Sequence, residues 1–553
     1  MTANLIIHNA RIYTVDAAAP WVSAVACAGG RIMAVGSDDE ILNLAGPDTE
    51  RFDAGGRLVL PGLTDSHVHF LQYAIRRHEV NLFGVRDFEE VRRRVQQAVE
   101  QAAPGRWVQG WGWDENLWDV EPTRTHLDDI APHTPVVLRR LDMHSCWVNG
   151  AALKRAGVSR ETPDPPESRL ERDAAGEPTG ILREWNAMRL VESHIPRPTA
   201  AELRPWLQEA IGVAHQLGLT GIHDQRVQRE GRQSFRLYQA LNRAGELKLR
   251  VHMNIAAEHL PEVATLGLQP GFGNDRLWIG HVKAFADGSL GSRTAHMIEP
   301  FEGEPDNYGL VVTPADTLWE LAQQADKAGY AFSVHAIGDM AVRQVIDVLS
   351  EFQPAAQDQV KHVTVVSSAQ SQVADPAPGR LPHRIEHVQV IHPTDLPRLS
   401  RHGLVASVQP VHICFDWRPA NKNWGQRARY AYAFRSLLDH GTHLAFGSDA
   451  PVAPLDPLLG IYAAVTRQDE QGQPAGGWYP EERISMAETI HAYTMGPARL
   501  AGKQPHQGSL SPGKWADMIV LSQNIFDIPP EAILETKVAL TIFDGDVVHR
   551  NAL

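Results

Sequence analysis

The run from Leu58 to Phe70, LVLPGLTDSHVHF, constrains this chain more than any other segment, because an apolar strand-like stretch stops at a proline and glycine and resumes into two alternating histidines. On a strand, side chains at i and i+2 share one face, so His67 and His69 stand about 7 Å apart along the backbone and converge on one ion, which a helix would not allow. An HxH pair alone is weak evidence, since 26 histidines in 553 residues also produce pairs such as His440 and His443. Its place at the carboxyl end of an apolar strand gives it weight, because barrel enzymes assemble their sites there.

The length exceeds one ordinary domain, and a barrel of about 250 residues or more counts as one. With 52 basic and 66 acidic residues the net charge is −14, which argues against nucleic acid or an anionic membrane as partner. Cys27, Cys146 and Cys414 lie far apart with no CxxC spacing, so neither a disulfide framework nor a thiolate zinc knot is indicated. The amino-terminal residues lack a basic segment followed by an apolar one, and no window approaches about 18 uninterrupted apolar residues, so the expected location is cytoplasmic.

Both ends of the chain carry short alternating runs. ANLIIHNARIYTVD, SAVACAGGRIMAVGS and RFDAGGRLVLPG predict antiparallel strands, and GSLSPGKWADMIVLS with KVALTIFDGDVVHR, turning at Asp544 and Gly545, predicts more. Neither end has the apolar surface for its own core, so residues 1–58 and 505–553 are expected to combine into one small β-sandwich. Between them, eight apolar runs alternate with helical patterns: LVLPGLTDSHVH, GLTGIHDQ, LKLRVHMNI, WIGHVKAFADG, YAFSVHAIGD, PHRIEHV, LVASVQP and THLAFGSDA. Helices are expected at Thr313 to Ala328 (capped by Thr313), Met340 to Glu351 and Tyr430 to His440. The fold class is therefore α/β, a (β/α)8 TIM-like barrel over 59–504 with the terminal sandwich and an insertion after its first strand, 83–214. TPDPPESRLERDAAGEPTG in the insertion reads as an exposed loop, and Gln353 to Arg380 as a second surface excursion.

Under this eight-strand reading, the first strand ends in His67 and His69, the fourth carries Lys283, the fifth ends in His335, the sixth in His387 and the eighth in Asp449. Each has an ordinary alternative: a core histidine, an ion-paired interior lysine, a turn-capping aspartate. Together, six polar groups at one end of one barrel are hard to explain as packing, because burying them unpaired would cost several kcal/mol each. Imidazole and carboxylate suit a pair of divalent ions, zinc in the absence of thiolates, with manganese, iron or nickel as alternatives. A lysine ammonium cannot bind a cation, but burial in a positive site favours the free amine, which adds carbon dioxide to give a bridging carbamate.

Here LPGLTDSHVHF, VKAFADGSLGSRTA, HAIGD, RIEHVQ, FGSDAPV and GSLSPGKWADMIVL, in this order and over almost the whole length, resemble the amidohydrolase superfamily and within it the YtcJ-like branch that includes N-substituted formamide deformylases. The resemblance implies His67, His69 and Asp449 on one metal, His335 and His387 on a second, and carboxylated Lys283 between them. GWGWDENLW, with Trp113 and Asp114, and RRLDMHSCWVN, with His144, also recur in it. They read either as a lid that forms a substrate pocket or as anchors of the insertion. Arg293 in DGSLGSRTA reads as a clamp for a substrate carboxylate or carbonyl, or as the partner of a rim acid. His223 and Asp224 are expected to support the site by hydrogen bonds.

The expected reaction is hydrolysis of an amide-like, non-peptide carbon–nitrogen bond by metal-activated hydroxide, with Asp449 as base and then acid toward a small-molecule substrate. The alternatives are a mononuclear deaminase or cyclic amidase with a structural Lys283, and a non-catalytic regulatory or binding protein on the same barrel. A homo-oligomer is compatible with the sequence, and no residue pattern supports it.

Overall fold

The computed structural model describes residues 2–103, 105–141, 145–166, 168–225, 231–353 and 380–551. Eight of the apolar runs form parallel strands, hydrogen-bonded in chain order. They are β1 (Leu63–Val68), β2 (Leu219–Asp224), β3 (Arg250–Ala256), β4 (Leu277–Phe285), β5 (Phe332–Ala336), β6 (Arg384–His387), β7 (Val405–Val408) and β8 (Leu444–Phe446). Almost every residue in them is buried, as in parallel sheets covered on both faces, which is why they read as apolar runs rather than alternations.

Hydrogen bonds just past the strand ends draw β8 back to β1. The Asp449 amide donates to the His67 carbonyl at 2.7 Å and the His69 amide to the Ala450 carbonyl at 2.8 Å. Gly447 permits this approach, since a Cβ there would lie 2.4 Å from the His67 amide nitrogen.

The run beginning at Leu58 is two strands rather than one. Leu58–Pro61 pairs with Arg11–Tyr13 and with Met518–Leu521 in a six-stranded sheet built from both ends of the chain, and β1 starts after Gly62. A four-stranded sheet, with Ala3–His8 and Ala24–Ala28 at its centre, completes the sandwich. Leu5, Ile7, Ile12 and Val25 share its core with Val59, Met518, Val520, Leu540 and Ile542.

The expectation of antiparallel pairing fails at two places: Ala3–His8 runs parallel to Ala45–Asp53, and Arg11–Tyr13 parallel to Leu58–Pro61. In the first case the helix Asp38–Leu42, capped by Ser37, carries the chain back to the starting edge. The carboxyl-terminal hairpin forms as read, with Asp544 and Gly545 both in the left-handed region that a two-residue turn requires.

Helix Asp339–Phe352 buries Ala341, Val342, Val345, Ile346 and Leu349 along one face. Thr313 caps no helix; Ala315–Lys327 begins after Pro314, while the Thr313 amide bonds the Ala286 carbonyl. The expected helix from Tyr430 shrinks to Phe434–Asp439, because Tyr432 adopts a φ of 51° and breaks it.

Residues Met1–Gln72 with Gln208–Leu553 form one compact unit, and Tyr73–Leu207 a second. The second unit starts and ends earlier than the tryptophan-rich interval 83–214. It holds a mixed six-stranded sheet over a core of Trp113, Trp118, Trp147, Val91 and Leu127. The polar stretch read there as a loop contains a hairpin, Arg169–Arg172 against Pro178–Arg183, with Leu170 buried and Asp173 accepting two turn amides. Most of the second excursion, 354–379, lies outside the described residues. No helix among the described residues is long and apolar enough to cross a membrane.

Candidate metal centre

His67 near the end of β1, His69 just beyond it and Asp449 after β8 converge. One Asp449 oxygen, Oδ1, lies 3.3 Å from His67 Nε2 and 3.4 Å from His69 Nε2. Their potential ligand atoms all fall within 4.8 Å of one another, the one such group among the described residues. His387, closing β6, brings its ring centroid to 4.8 Å from that of His67, and His335 on β5 lies 4.5 Å from His387. The five residues therefore form a continuous cluster at the carboxyl ends of four strands.

Hydrogen bonds fix which imidazole nitrogens stay free. His67 Nδ1 contacts Glu386 Oε2 at 2.6 Å, His387 Nδ1 contacts Gln409 Oε1 at 2.8 Å and His335 Nε2 contacts the Gly288 carbonyl at 2.8 Å. A carboxylate, an amide oxygen and a carbonyl only accept, so in each pair the imidazole donates. That leaves lone pairs on His67 Nε2, His387 Nε2 and His335 Nδ1. Such an arrangement, a ligand imidazole with its second nitrogen tied to an oxygen, is how proteins orient histidines toward metals.

Burial favours the same neutral state, drawing His335 down to about 4 and His387 well below its ordinary value. Burial acts to raise the Asp449 carboxyl, but the adjacent His67 and His69 outweigh it and hold it well below the usual carboxylate range. His387 and Asp449 adopt φ values of 74° and 61°. Left-handed backbone at residues other than glycine costs about 1–3 kcal/mol and tends to mark functional positions.

Lys283 on β4 is buried, and its Nζ has no hydrogen-bond partner among the described residues. Burial pulls its amine down to about 8, against the pull of Glu386 and Asp449. Histidines with free lone pairs, a carboxylate and a buried amine without a partner make a donor set that fits divalent cations, with the amine fitting once it is carboxylated.

Several residues that hold this cluster escaped sequence reasoning. Glu386 also accepts from Ser333 Oγ at 2.6 Å and pairs with Arg384, both partners being fully buried with it. Asp287, directly after β4, accepts from the amides of His296, Ile337 and Gly338, and so ties the DGSLGSRTA loop to the end of β5. Asp65 accepts from the His67 amide and from the Ser448 amide and hydroxyl, which sets the β8 loop against β1.

Of the remaining expected residues, those that are described have other partners. Arg293 pairs with Glu304 on the exposed rim. Trp113 is 1% exposed inside the core of the second unit, with its N–H donated to the Leu138 carbonyl, so it packs as an anchor within that unit. Asp114 pairs with Arg140 at 3.1 Å in the same unit. His144 lies outside the described residues. His223 and Asp224 have supporting contacts, from Arg384 Nη1 at 3.0 Å and the Tyr238 hydroxyl at 2.8 Å.

Residues 50–549 match the Amidohydrolase family. The chain belongs to that family. This amidohydrolase is 35% identical over 540 residues to Protein LONG AFTER FAR-RED 3 of Arabidopsis thaliana, which covers 95% of this chain and 88% of that one. It is 30% identical to the putative amidohydrolase YtcJ of Bacillus subtilis over 99% of both chains. It is 28% identical to N-substituted formamide deformylase of Arthrobacter pascens, over 98% of this chain and 97% of that one. Among solved structures, an uncharacterized metal-dependent hydrolase from Pyrococcus horikoshii superposes with a TM-score of 0.76 at 26% identity, over 95% of this chain and 99% of that one.

Proposed function

We propose that this amidohydrolase is a divalent-metal enzyme that hydrolyses a non-peptide carbon–nitrogen bond, with N-substituted formamides as its substrate class. The observation that carries the reading is the convergence of His67, His69 and Asp449 within 4.8 Å, beside two more imidazoles whose lone pairs are free. The formamide assignment draws on the likeness to the Arthrobacter enzyme.

In this reading His67, His69 and Asp449 would hold one zinc ion and His335 and His387 a second, with Lys283, as a carbamate, supplying an anionic ligand. Carboxylation needs the free amine, and burial, which draws Lys283 to about 8, brings that form within reach near neutral pH. When bound, divalent ions lower the pKa of water and polarise a carbonyl. Asp449, ionised and adjacent, accepts the proton that water gives up as its oxygen adds to the carbonyl carbon. It then delivers that proton to the nitrogen as the carbon–nitrogen bond breaks, so one carboxylate acts as base and then acid. The products are formate and an amine.

The test combines metal analysis with turnover. Protein incubated with zinc and bicarbonate should bind zinc stoichiometrically and release formate and benzylamine from N-benzylformamide. Protein that stays free of metal after zinc, manganese and bicarbonate overturns the metal assignment. Zinc-loaded protein that leaves a panel of N-formyl and N-acyl amines intact overturns the substrate class.

A further inference from the structure

His412 is a further imidazole beside the cluster. It closes the turn Pro410–His412 after β7 and precedes the helix Ile413–Trp424. Its ring lies nearly parallel to that of His387, with centroids 6.3 Å apart and planes 18° apart. It is 9% exposed, yet its buried Nε2 has no hydrogen-bond partner among the described residues. It is not part of the group whose ligand atoms converge within 4.8 Å.

A closed triangle of hydrogen bonds lies between the segments that carry His387 and His412. Asp416, one helical turn on, accepts from the Tyr432 hydroxyl at 2.5 Å and from Gln389 Nε2 at 2.7 Å, and Gln389 Nε2 also reaches the Tyr432 oxygen at 2.6 Å. Gln389 follows His387 by two residues, so the triangle ties the loop that carries His387 to the helix that follows His412. The segments that carry the two imidazoles are thereby coupled, while the buried Nε2 of His412 is left for a bound partner. A buried ring nitrogen without a partner is costly, and a bound substrate that supplies one removes the cost.

We infer that His412 is a catalytic residue: its Nε2–H donates a hydrogen bond to the carbonyl oxygen of the bound amide, and Asp416, Tyr432 and Gln389 position it. The inference rests on the proposed amide hydrolysis and adds to it. Asp449 handles the protons in that scheme, and negative charge builds on the carbonyl oxygen as water adds. A fixed donor aimed at that oxygen stabilises the charge where it develops.

Zinc-loaded wild type, His412→Ala and His412→Gln are compared for bound zinc, for kcat and KM with N-benzylformamide, and for Kd with benzohydroxamate, a chelating mimic of the charged oxygen. His412→Ala should keep wild-type zinc and lower kcat by about 100- to 1000-fold with little change in KM, the loss seen when a single oxyanion donor is removed. It should also weaken benzohydroxamate at least about 10-fold. His412→Gln, whose amide nitrogen reaches the Nε2 position, should recover part of both losses, which a merely structural role would not produce. His412→Gln also serves if the alanine variant does not fold. Wild-type kcat and hydroxamate affinity in the folded variants overturn the inference, and so does loss of zinc, which would make His412 a ligand. If wild type binds zinc but leaves N-benzylformamide intact, the formamide reading fails, and the hydroxamate comparison alone decides the role of His412.

Discussion

Because Glu386 accepts the His67 Nδ1 proton at 2.6 Å, replacing it by glutamine keeps an acceptor of the same shape and removes only the charge. Glu386→Gln should weaken zinc binding about 10- to 100-fold, measured by competition with a chelator, as is usual for the loss of a carboxylate behind a ligand histidine. Asp449→Asn should lower kcat about 100- to 10,000-fold while much of the zinc remains bound; a variant with wild-type turnover would remove Asp449 from the proton path. The HxH pair, the lysine in VKAFADG and the aspartate in GSDAP were legible because each stands alone at the end of an apolar run. Glu386 was not, since period-two alternation places the neighbours Glu386 and His387 on opposite faces. The φ of 74° at His387 turns the chain there, and both reach the site. Nor does any spacing announce His412, whose meaning depends on its packing beside His387.

At the level of elements, the eight barrel strands were countable because fully buried parallel strands read as unbroken apolar runs. The joint at Gly62 was hidden for the same reason, since two strands of different sheets share one apolar run. That joint is crowded: a Cβ on Gly62 would lie 2.2 Å from Thr220 Oγ1 and 2.6 Å from its Cγ2. Gly62→Ala should therefore cost about 1–3 kcal/mol of stability by overpacking, read as a lower urea midpoint. Adding Thr220→Ala should restore part of the loss, and a single variant as stable as wild type would show that the joint is loose. The hairpin at 169–183 was missed because its composition is that of a turn, and the single buried leucine of its first strand, Leu170, is too little pattern to announce it.

Taken whole, the barrel buries histidines as neutral groups. His252 Nδ1 accepts from the Trp278 N–H at 2.8 Å, and His252 Nε2 lies 3.0 Å from His281 Nδ1. His383 Nδ1 accepts from the Phe332 amide at 2.9 Å, and burial draws this imidazole down to about 3. Unfolded, it titrates near 6.5, so between about 6.5 and 3 the unfolded chain binds the extra proton and stability falls as the pH is lowered. The slope from His383 alone approaches about 1.4 kcal/mol per pH unit. His383→Asn, which keeps an acceptor for the Phe332 amide, should flatten the decline of the urea midpoint between pH 6 and about 4; an unchanged slope would place the acid sensitivity elsewhere. The sheet that joins Leu58–Pro61 to Met518–Leu521 has a further consequence. During translation the first partner emerges long before the second, so a growing polypeptide carries a bare strand edge until Met518–Leu521 has followed and sealed it.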